Sequence, residues 1–215
     1  MPDSDRKKWD ERYVQGAYAG RDHPSAYLVE HVGPDGTLAR LGWRRDCAQP
    51  LRAADLACGR GRNARWLAGQ GFAVDAYDIS PVGLAAAAAV EPQANIQWRE
   101  HDLLETGLPP ERYDLIVMVR FVAMDLLPKL REHLRPGGCL LVEEHLHLDV
   151  PWPDHVELSG PGSQRFRTTP GALQASVTDA TSFTDATVLH AAEGLVVEPD
   201  GQLATLSRIL VQVPG

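Results

Sequence analysis

The sequence predicts an α/β fold: a doubly wound, seven-stranded and mostly parallel sheet that ends in an antiparallel hairpin. Three observations predict it. Short apolar runs alternate with helix-forming segments between residues 51 and 143, which is the pattern of a parallel sheet covered on both faces. A glycine-rich turn, CGRG, follows the first of these runs. Two strand-like runs joined across EPDGQ end the chain, and that turn favours a hairpin.

Apolar periodicity and turn residues set the boundaries of each element. The parallel strands are predicted, in order, at Leu51–Leu56, Phe72–Tyr77, Asn95–Arg99, Leu115–Val119 and Cys139–Glu143. The helices between them are predicted at Arg62–Gln70, Pro81–Val90 and Leu127–Leu134. Ser80 and Pro81 supply an N-cap and a first-turn proline, and RPGG at 135–138 should stop the last of these helices. The unbroken apolar run at 115–119 indicates a strand buried on both faces.

The two ends of the chain differ from this central alternation. Residues 1–50 are predicted to be a helical, loop-rich extension, and residues 51–215 the α/β domain. In the extension, Pro24 fits the first turn of a short helix that turns Tyr27, Leu28 and Val32 inward. At the carboxy end, Thr169-Pro170 should start a short helix. The hairpin strands are then predicted at Thr187–Val197 and Leu203–Val213.

Charge and cysteine content narrow the function classes. The 215 residues carry a formal net charge of −8, which disfavours nucleic acids as partners and suits a small or cationic ligand. Three cysteines without clustered spacing predict neither a disulfide framework nor a zinc knuckle, as expected in a reducing cytosol. The amino terminus lacks the apolar core of a signal peptide, and no run approaches the ~18 apolar residues of a membrane span. A cytoplasmic protein is therefore expected.

The glycine turn predicts a nucleotide-like ligand. Gly59, Gly61 and Ala64 fit the spacing G-x-G-x-x-G/A, and Asp78 follows about twenty residues later, where an acid binds ribose. Taken alone, this pattern is compatible with a nicotinamide or flavin dinucleotide. Both glycines are needed with either ligand, because the backbone must approach it closely.

The acids at the strand ends favour a different cofactor. The carboxyl ends of the first three predicted strands deliver Asp55, Asp78 and Asp102, so these side chains should line one rim. A carboxylate about 4 Å from a phosphate costs roughly 4 kcal/mol at an effective dielectric of about 20. A ligand with an ammonium and a sulfonium but no phosphate reverses the sign. S-adenosylmethionine is such a ligand, with Asp55 near its amino-acid end, Asp78 on the ribose and Asp102 on the adenine amine.

The motifs DLACGRG, YDIS and HDLLE resemble, in that order and spacing, the class I S-adenosylmethionine-dependent methyltransferases, whose Rossmann-like sheet also ends in an antiparallel strand. That family often has glycine at the position of Ala57. More narrowly, WDERYVQGAY and QRFRTTPGAL resemble small-molecule methyltransferases of the tellurite-resistance type, which implies an amino-terminal lid carrying Trp9 and Tyr13. The resemblance implies further cofactor contacts at Asp55, Ala57, Gly59, Gly61, Asn63, Asp78, Ile79, Asp102, Leu103 and Val119.

The acceptor side is less defined by sequence. Glu143, His145 and His147 alternate and would share one face if strand five continued; they can be a general base, metal ligands or hydrogen-bonded rim residues. Arg120 follows strand four and is a candidate contact for an anionic substrate, as are Arg165 and Arg167. His145 and Arg120 are the candidate catalytic residues, no metal site is expected, and Cys58 is interpreted as a small buried residue.

The predicted function is transfer of a methyl group from S-adenosylmethionine to a small-molecule nucleophile: a thiol, chalcogen oxyanion, hydroxyl or amine. Strand four is followed by VRFV rather than by an Asn/Asp-Pro-Pro-aromatic motif, and the chain has no Pro-Cys pair. Both absences disfavour methylation of nucleic-acid bases. Three alternatives stay open: a nucleic-acid methyltransferase, a non-catalytic S-adenosylmethionine-binding protein and an NAD(P)-dependent oxidoreductase.

Overall fold

The computed structural model describes residues 2–43, 49–90, 95–148, 157–179 and 181–215. Cys47, one of the three thiols counted above, lies outside these residues. The strands form one sheet of seven in the order β3-β2-β1-β4-β5-β7-β6, with β7 antiparallel to both of its neighbours and the other strands parallel. The predicted fold class is confirmed. The strands are β1 Arg52–Leu56, β2 Ala73–Asp78, β3 Ile96–Glu100, β4 Tyr113–Val119, β5 Leu134–His145, β6 Thr187–Val197 and β7 Leu203–Gln212.

Helices cover both faces of the sheet. They are α1 Pro2–Val14, α2 Ala26–Val32, α3 Thr37–Arg40, α4 Arg62–Gly69, α5 Pro81–Val90, α6 Leu103–Thr106 and α7 Ala172–Thr178, with 3-10 turns at Leu127–His133, Gln164–Phe166 and Thr181–Phe183. All seven residues of β4 are buried. Leu115 and Val117 join the core under α2, α3 and α4, whereas Ile116 and Met118 join the core under α7. This two-sided burial explains the unbroken apolar run in the sequence.

β5 differs from its prediction. We expected RPGG to end a helix before a strand at 139–143, but the preceding segment is a 3-10 helix and β5 already begins at Leu134. Tyr113 pairs with Leu134 while Leu115 pairs with Cys139, so residues 135–138 bulge out of the ladder. Gly137 has a φ of 72° there. Proline and glycine are tolerated in a strand at such a bulge, which is why RPGG does not stop it.

The amino-terminal extension packs against the α/β domain. Ser25 caps α2 by accepting a hydrogen bond from the Leu28 amide, so Pro24 precedes the cap instead of lying in the first turn as predicted. Tyr27 and Leu28 are buried as expected, whereas Val32 is only half-buried. The helices of the described chain are all too short to cross a bilayer, the longest being α1 with 13 residues.

The order of the strands creates the crevice that the sequence analysis looked for. β1 pairs with β2 on one side and with β4 on the other, so the chain reverses its direction across the sheet between β1 and β4. Ligands of open α/β sheets bind outside the carboxyl ends of the strands at such a reversal. The antiparallel β7 starts beside the end of β5, since Leu206 pairs with His145. The hairpin turn before β7 therefore also lies at this edge.

Candidate cofactor and acceptor site

The glycine turn between β1 and α4 has three residues in the left-handed region. The φ angles of Ala57, Gly59 and Gly61 are 55°, 57° and 74°. An L-residue with a β-carbon pays about 1–2 kcal/mol in this region, whereas glycine does not. Ala57 therefore bears this cost, which a glycine at the same position would not.

The two glycines serve different neighbours. A β-carbon on Gly59 would lie 2.8 Å from the Tyr13 hydroxyl, and one on Gly61 would lie within 2.7 Å of the Trp98 indole. Trp98 lies on β3, so Gly61 is required for packing inside the protein as well as for its backbone angle. Gly59 instead opens the turn toward α1. Cofactor contact at both positions stays a prediction.

Asp78 ties the glycine turn to the start of α5. Its side chain is 5% exposed, and its two oxygens accept hydrogen bonds from the Gly59 amide at 2.7 Å and the Ser80 amide at 2.9 Å. Each carboxylate oxygen can accept a second hydrogen bond. Asp78 is thus held in place by the backbone with acceptor capacity left for ribose hydroxyls, while its neighbour Ile79 is half-buried.

Asp55 is the most constrained acid of the turn. It is 1% exposed; the Ala64 amide donates to the carboxylate, and Oδ2 has no partner among the described residues. Burial raises the pKa of Asp55 to about 7, against the opposing positive charge of Arg62. A buried carboxylate with an unpartnered oxygen costs free energy unless a donor or a cation completes it. This is the strongest local indication of a cationic ligand.

Asp102 caps α6, and the same side chain borders an open cavity. Its Oδ1 accepts from the Leu104 and Glu105 amides at 3.0 and 3.1 Å. The cavity has a volume of about 400 Å³ and is lined by both Asp102 and Ile79. These two predicted cofactor residues therefore lie together beside free space that is suited to a base.

Three other predicted contacts are committed to packing or to hydrogen bonds within the protein. Leu103 is 4% exposed and belongs to the core on the α7 side, and Val119 is 7% exposed at the end of β4. The Asn63 side chain accepts a hydrogen bond from the Ser25 amide at 2.9 Å, which joins α4 to the cap of α2. Their contact with a cofactor stays a prediction.

Helix α1 places both predicted lid aromatics at the turn. Tyr13 is 9% exposed, and its ring also fills the space beside Gly83 on α5. Trp9 stacks on Tyr13 with ring centroids 6.1 Å apart and meets Phe166 edge-on at 6.4 Å. Asp10 accepts a hydrogen bond from the Ser80 hydroxyl. α1 therefore covers the glycine turn, and the 3-10 turn at 164–166 contacts α1 through Phe166 and Trp9.

Arg120 is the centre of a buried ionic network at the ends of β4 and β5. Its Nη2 lies 2.6 Å from Glu198 and 3.4 Å from Glu143. The ring nitrogens of His145 lie 2.9 and 3.1 Å from Nη1, so Arg120 donates to this imidazole. The two predicted catalytic residues are thus brought together, but each is engaged by the other.

Burial, with the positive charge of Arg120 next in weight, lowers the pKa of His145 to about 2. A histidine this weakly basic stays neutral at physiological pH, and efficient general bases have a pKa near the working pH. The interpretation of His145 as a general base is therefore disfavoured. β5 ends at His145, so His147 does not share the strand face with Glu143 and His145.

The two other arginines predicted on the acceptor side have different environments. Arg165 is exposed and lies 3.4 Å from Asp5 of α1. Arg167 turns inward, where it donates to the carbonyls of Pro161 and Leu146 at 3.0 Å each. Cys58 is a buried free thiol whose pKa is raised by burial, as the interpretation of a small core residue requires.

Comparisons with known proteins agree with this geometry. Residues 53–138, which contain the turn and its acids, match the model of a family described as a methyltransferase domain. Over residues 53–138 the chain is therefore similar to methyltransferase domains. S-adenosylmethionine is the cofactor of such domains.

Individual relatives are distant. The chain is 28% identical to a trans-aconitate 2-methyltransferase of Methylobacterium nodulans over 70% of this chain and 60% of that protein. It is 29% identical to a ribosomal RNA small subunit methyltransferase C of Idiomarina loihiensis over 62% of this chain and 42% of that protein. The match thus spans less than two thirds of either relative. The crystal structure of TehB from Haemophilus influenzae has a TM-score of 0.57 at 21% identity, covering 80% of this chain and 60% of that one, which supports the fold.

The residues at the ends of β1, β2 and β3 fit S-adenosylmethionine. Asp55 has an oxygen without a partner among the described residues, which a cationic donor would satisfy. Asp78 can accept further hydrogen bonds, and Asp102 borders the cavity. These three carboxylates would hold its ammonium, ribose and adenine groups respectively.

Sequence reasoning missed several residues of the site. Glu198 was predicted only as part of a hairpin turn, but it accepts a hydrogen bond from Arg120. Ser25 donates to Glu143 at 3.0 Å, and Arg62 lies near both Asp55 and Arg120. Glu144 is completely buried and accepts from the Phe121 amide at 3.1 Å, with its pKa raised by burial. An antiparallel last strand beside β5 was the available signal for Glu198.

We predict opposite effects of Asp55→Asn on stability and on cofactor binding. Since the folded-state pKa is raised from 3.8 to about 7, the native state binds more protons than the unfolded state in this window. The contribution of Asp55 to stability is therefore lost as pH rises through that range. At pH 8 the variant should melt about 3–6 °C above the wild type, yet bind S-adenosylmethionine about tenfold more weakly.

Thermal melts at pH 5 are the internal control for this prediction. There Asp55 is mostly protonated in the folded state and ionised in the unfolded state, so only part of the loss has occurred and the difference in Tm should be smaller than at pH 8. Equal melting temperatures at both pH values together with unchanged cofactor affinity would remove Asp55 from the site.

Gly61→Ala should destabilise the protein through Trp98. The new β-carbon would collide with the indole at a position whose φ is 74°, which we expect to cost about 1–3 kcal/mol of unfolding free energy. Gly69→Ala at the other end of α4 is the matched control, because no atom lies within 4 Å of its added β-carbon. Urea denaturation measures both; equal unfolding free energies would contradict the packing role of Gly61.

Proposed function

We propose that the protein transfers a methyl group from S-adenosylmethionine to a small-molecule nucleophile. The observation that carries this proposal is the buried Asp55 carboxylate, whose Oδ2 has no partner among the described residues and lies directly before the glycine turn. A positively charged cofactor completes this group, whereas a pyrophosphate would be repelled by it. Bound there, S-adenosylmethionine supplies a methyl group on a good leaving group.

The chain's own contribution is alignment and exclusion of water. Asp78 and Asp102 orient the cofactor, and Trp9 and Tyr13 on α1 roof the turn. Holding two reactants in line can contribute roughly 7–11 kcal/mol to lowering the barrier. In this proposal residues 1–50 act as a lid that closes over the reacting groups.

Arg120 and His145 orient the acceptor in this proposal and do not deprotonate it. His145 is neutral and accepts a hydrogen bond from Arg120, so it has little capacity to take a proton. The favoured acceptors are therefore nucleophiles that are already ionised or need no base. The reaction is a direct displacement in which the nucleophile's electron pair forms the new bond to the methyl carbon as the bond to sulfur breaks.

A nucleic-acid acceptor is the second candidate, because one distant relative is a ribosomal RNA methyltransferase. The net charge of −8 and the acidic rim oppose this candidate, since nucleic-acid binding depends on neutralising phosphates. The buried free thiol of Cys58 agrees with a proposed site of action in the reducing cytoplasm.

The decisive experiment measures S-adenosylhomocysteine release with thiols, phenols, amines, carboxylates and chalcogen oxyanions, and with ribosomal RNA in parallel. Turnover with a small molecule and none with RNA supports the proposal. Salt-sensitive methyl incorporation into RNA alone would favour the second candidate. Cofactor binding without turnover on any acceptor would instead indicate a non-catalytic binding protein.

Tyr13→Ala tests the lid. Because Tyr13 covers Gly59 and Gly83, its removal should uncover the turn and raise the Kd of S-adenosylmethionine about tenfold. Val14→Ala is the control, since Val14 lies on the same helix with 76% of its surface exposed. Isothermal titration calorimetry gives both constants, and an unchanged Kd for Tyr13→Ala would show that α1 is no part of the cofactor site.

A further inference from the structure

Four arginines converge on one buried histidine. Burial lowers the pKa of His145 most, and Arg120, Arg167, Arg21 and Arg62 each lower it further. These arginines come from four separate segments: the loop before α2, the first turn of α4, the loop after β4 and the loop before α7. Like charges gathered in a buried place cost free energy unless anions balance them.

Among the described residues, the protein's own carboxylates form ion pairs with two of the four. Glu143 and Glu198 both contact Arg120, and Asp200 lies 3.4 Å from Arg21. Glu143 and Glu198 are themselves almost fully buried, so their two ion pairs with Arg120 are shielded from solvent.

Neither Arg62 nor Arg167 forms an ion pair among the described residues, although the charges of Glu143 and Glu198 also act on Arg62. Arg62 donates to the His23 carbonyl at 3.3 Å. Arg167 donates to two carbonyls and to the Thr205 hydroxyl at 3.3 Å. Burial, followed by repulsion from Arg120, lowers the pKa of both guanidinium groups. Arg167 is therefore a half-buried cation near the end of β5 without an ion pair among the described residues, and such a guanidinium is suited to binding an anion.

Gly160 shows that Arg167 and His145 border the same spot. A β-carbon on Gly160 would lie 2.7 Å from Cε1 and 2.8 Å from Nδ1 of His145, and 3.2 Å from Nη2 of Arg167. The imidazole and the free end of the guanidinium therefore meet beneath this glycine. The charge of Arg62 acts on Asp55 as well as on His145.

We propose that the methyl acceptor is a small organic acid whose carboxylate binds to Arg167 beside His145. This inference rests on the proposed function and names the class of its acceptor. Nε and Nη1 of Arg167 already donate to protein oxygens, so Nη2, which lies beside His145, is the group that would donate to the carboxylate. His145, which is neutral, adds a polar contact to this carboxylate and carries no negative charge that would repel it. Arg62, nearer to Asp55, is the corresponding partner for the carboxylate of the cofactor, so the two unpaired arginines serve two different ligands.

The test measures binding separately from turnover. Wild-type protein saturated with S-adenosylhomocysteine is titrated by calorimetry with succinate and with its neutral analogue succinamide. We expect saturable succinate binding, at least about tenfold tighter than that of succinamide. Equal binding of the two probes, or no saturable succinate binding up to about 10 mM, would overturn the proposal.

Arg167→Gln identifies the residue, and Arg165→Gln is the matched control two positions away, where the side chain is exposed. Arg167→Gln should weaken succinate binding about tenfold and leave the Kd of S-adenosylmethionine unchanged. A loss of S-adenosylmethionine affinity instead would assign Arg167 to the cofactor carboxylate and contradict the proposal, as would an equal effect of Arg165→Gln. If Arg167→Gln unfolds, Arg167→Lys is titrated in the same way. It should also weaken succinate binding, because the lysine ammonium lacks the planar guanidinium group; unchanged succinate binding would contradict the proposal.

Failure of this inference is distinguishable from failure of the proposed function. Absent S-adenosylmethionine binding refutes the methyltransferase activity, whereas intact cofactor binding without discrimination between the two probes refutes only the acid-binding site.

Discussion

The buried carboxylate at the end of β1 is the constraint on which this site depends. Asp55 lies within β1 and is paired with Ala76 on one side and Val117 on the other, so its backbone is held and cannot move to let the side chain reach water. One oxygen is left without a partner among the described residues. The protein keeps this unfavourable group directly before a strained turn, and such local costs are concentrated at functional sites.

Two regions of opposite charge therefore meet at one edge of the sheet. The ends of β1, β2 and β3 present the carboxylates Asp55, Asp78 and Asp102, whereas the ends of β4 and β5 gather arginines around His145. The antiparallel direction of β7 makes the second region possible, because it returns the hairpin turn with Glu198 to the edge where the parallel strands end. A cationic donor and an anionic acceptor would then each find the opposite charge, and alignment follows from where the two charges are fixed.

Much of the fold was predictable because its signals are local. Alternating runs and turn residues located all seven strands, and β6 and the helix from Pro81 to Val90 match their predicted bounds. RPGG misled because a bulge uses the same residues as a helix stop. The motif acids were predictable by spacing. Glu198, Ser25 and Arg62 were not, since their contacts join segments that are distant in the chain and close only in the folded sheet.

The central claim concerns the sign of charge around the glycine turn, and competitive calorimetry tests it most directly. The protein is titrated with S-adenosylmethionine and with NADH, in each case with and without the other present. The account predicts saturable binding of S-adenosylmethionine that NADH does not displace, since Asp55 repels a pyrophosphate. Tight NADH binding that excludes S-adenosylmethionine would contradict it, because a phosphate would then occupy the place assigned to a cation.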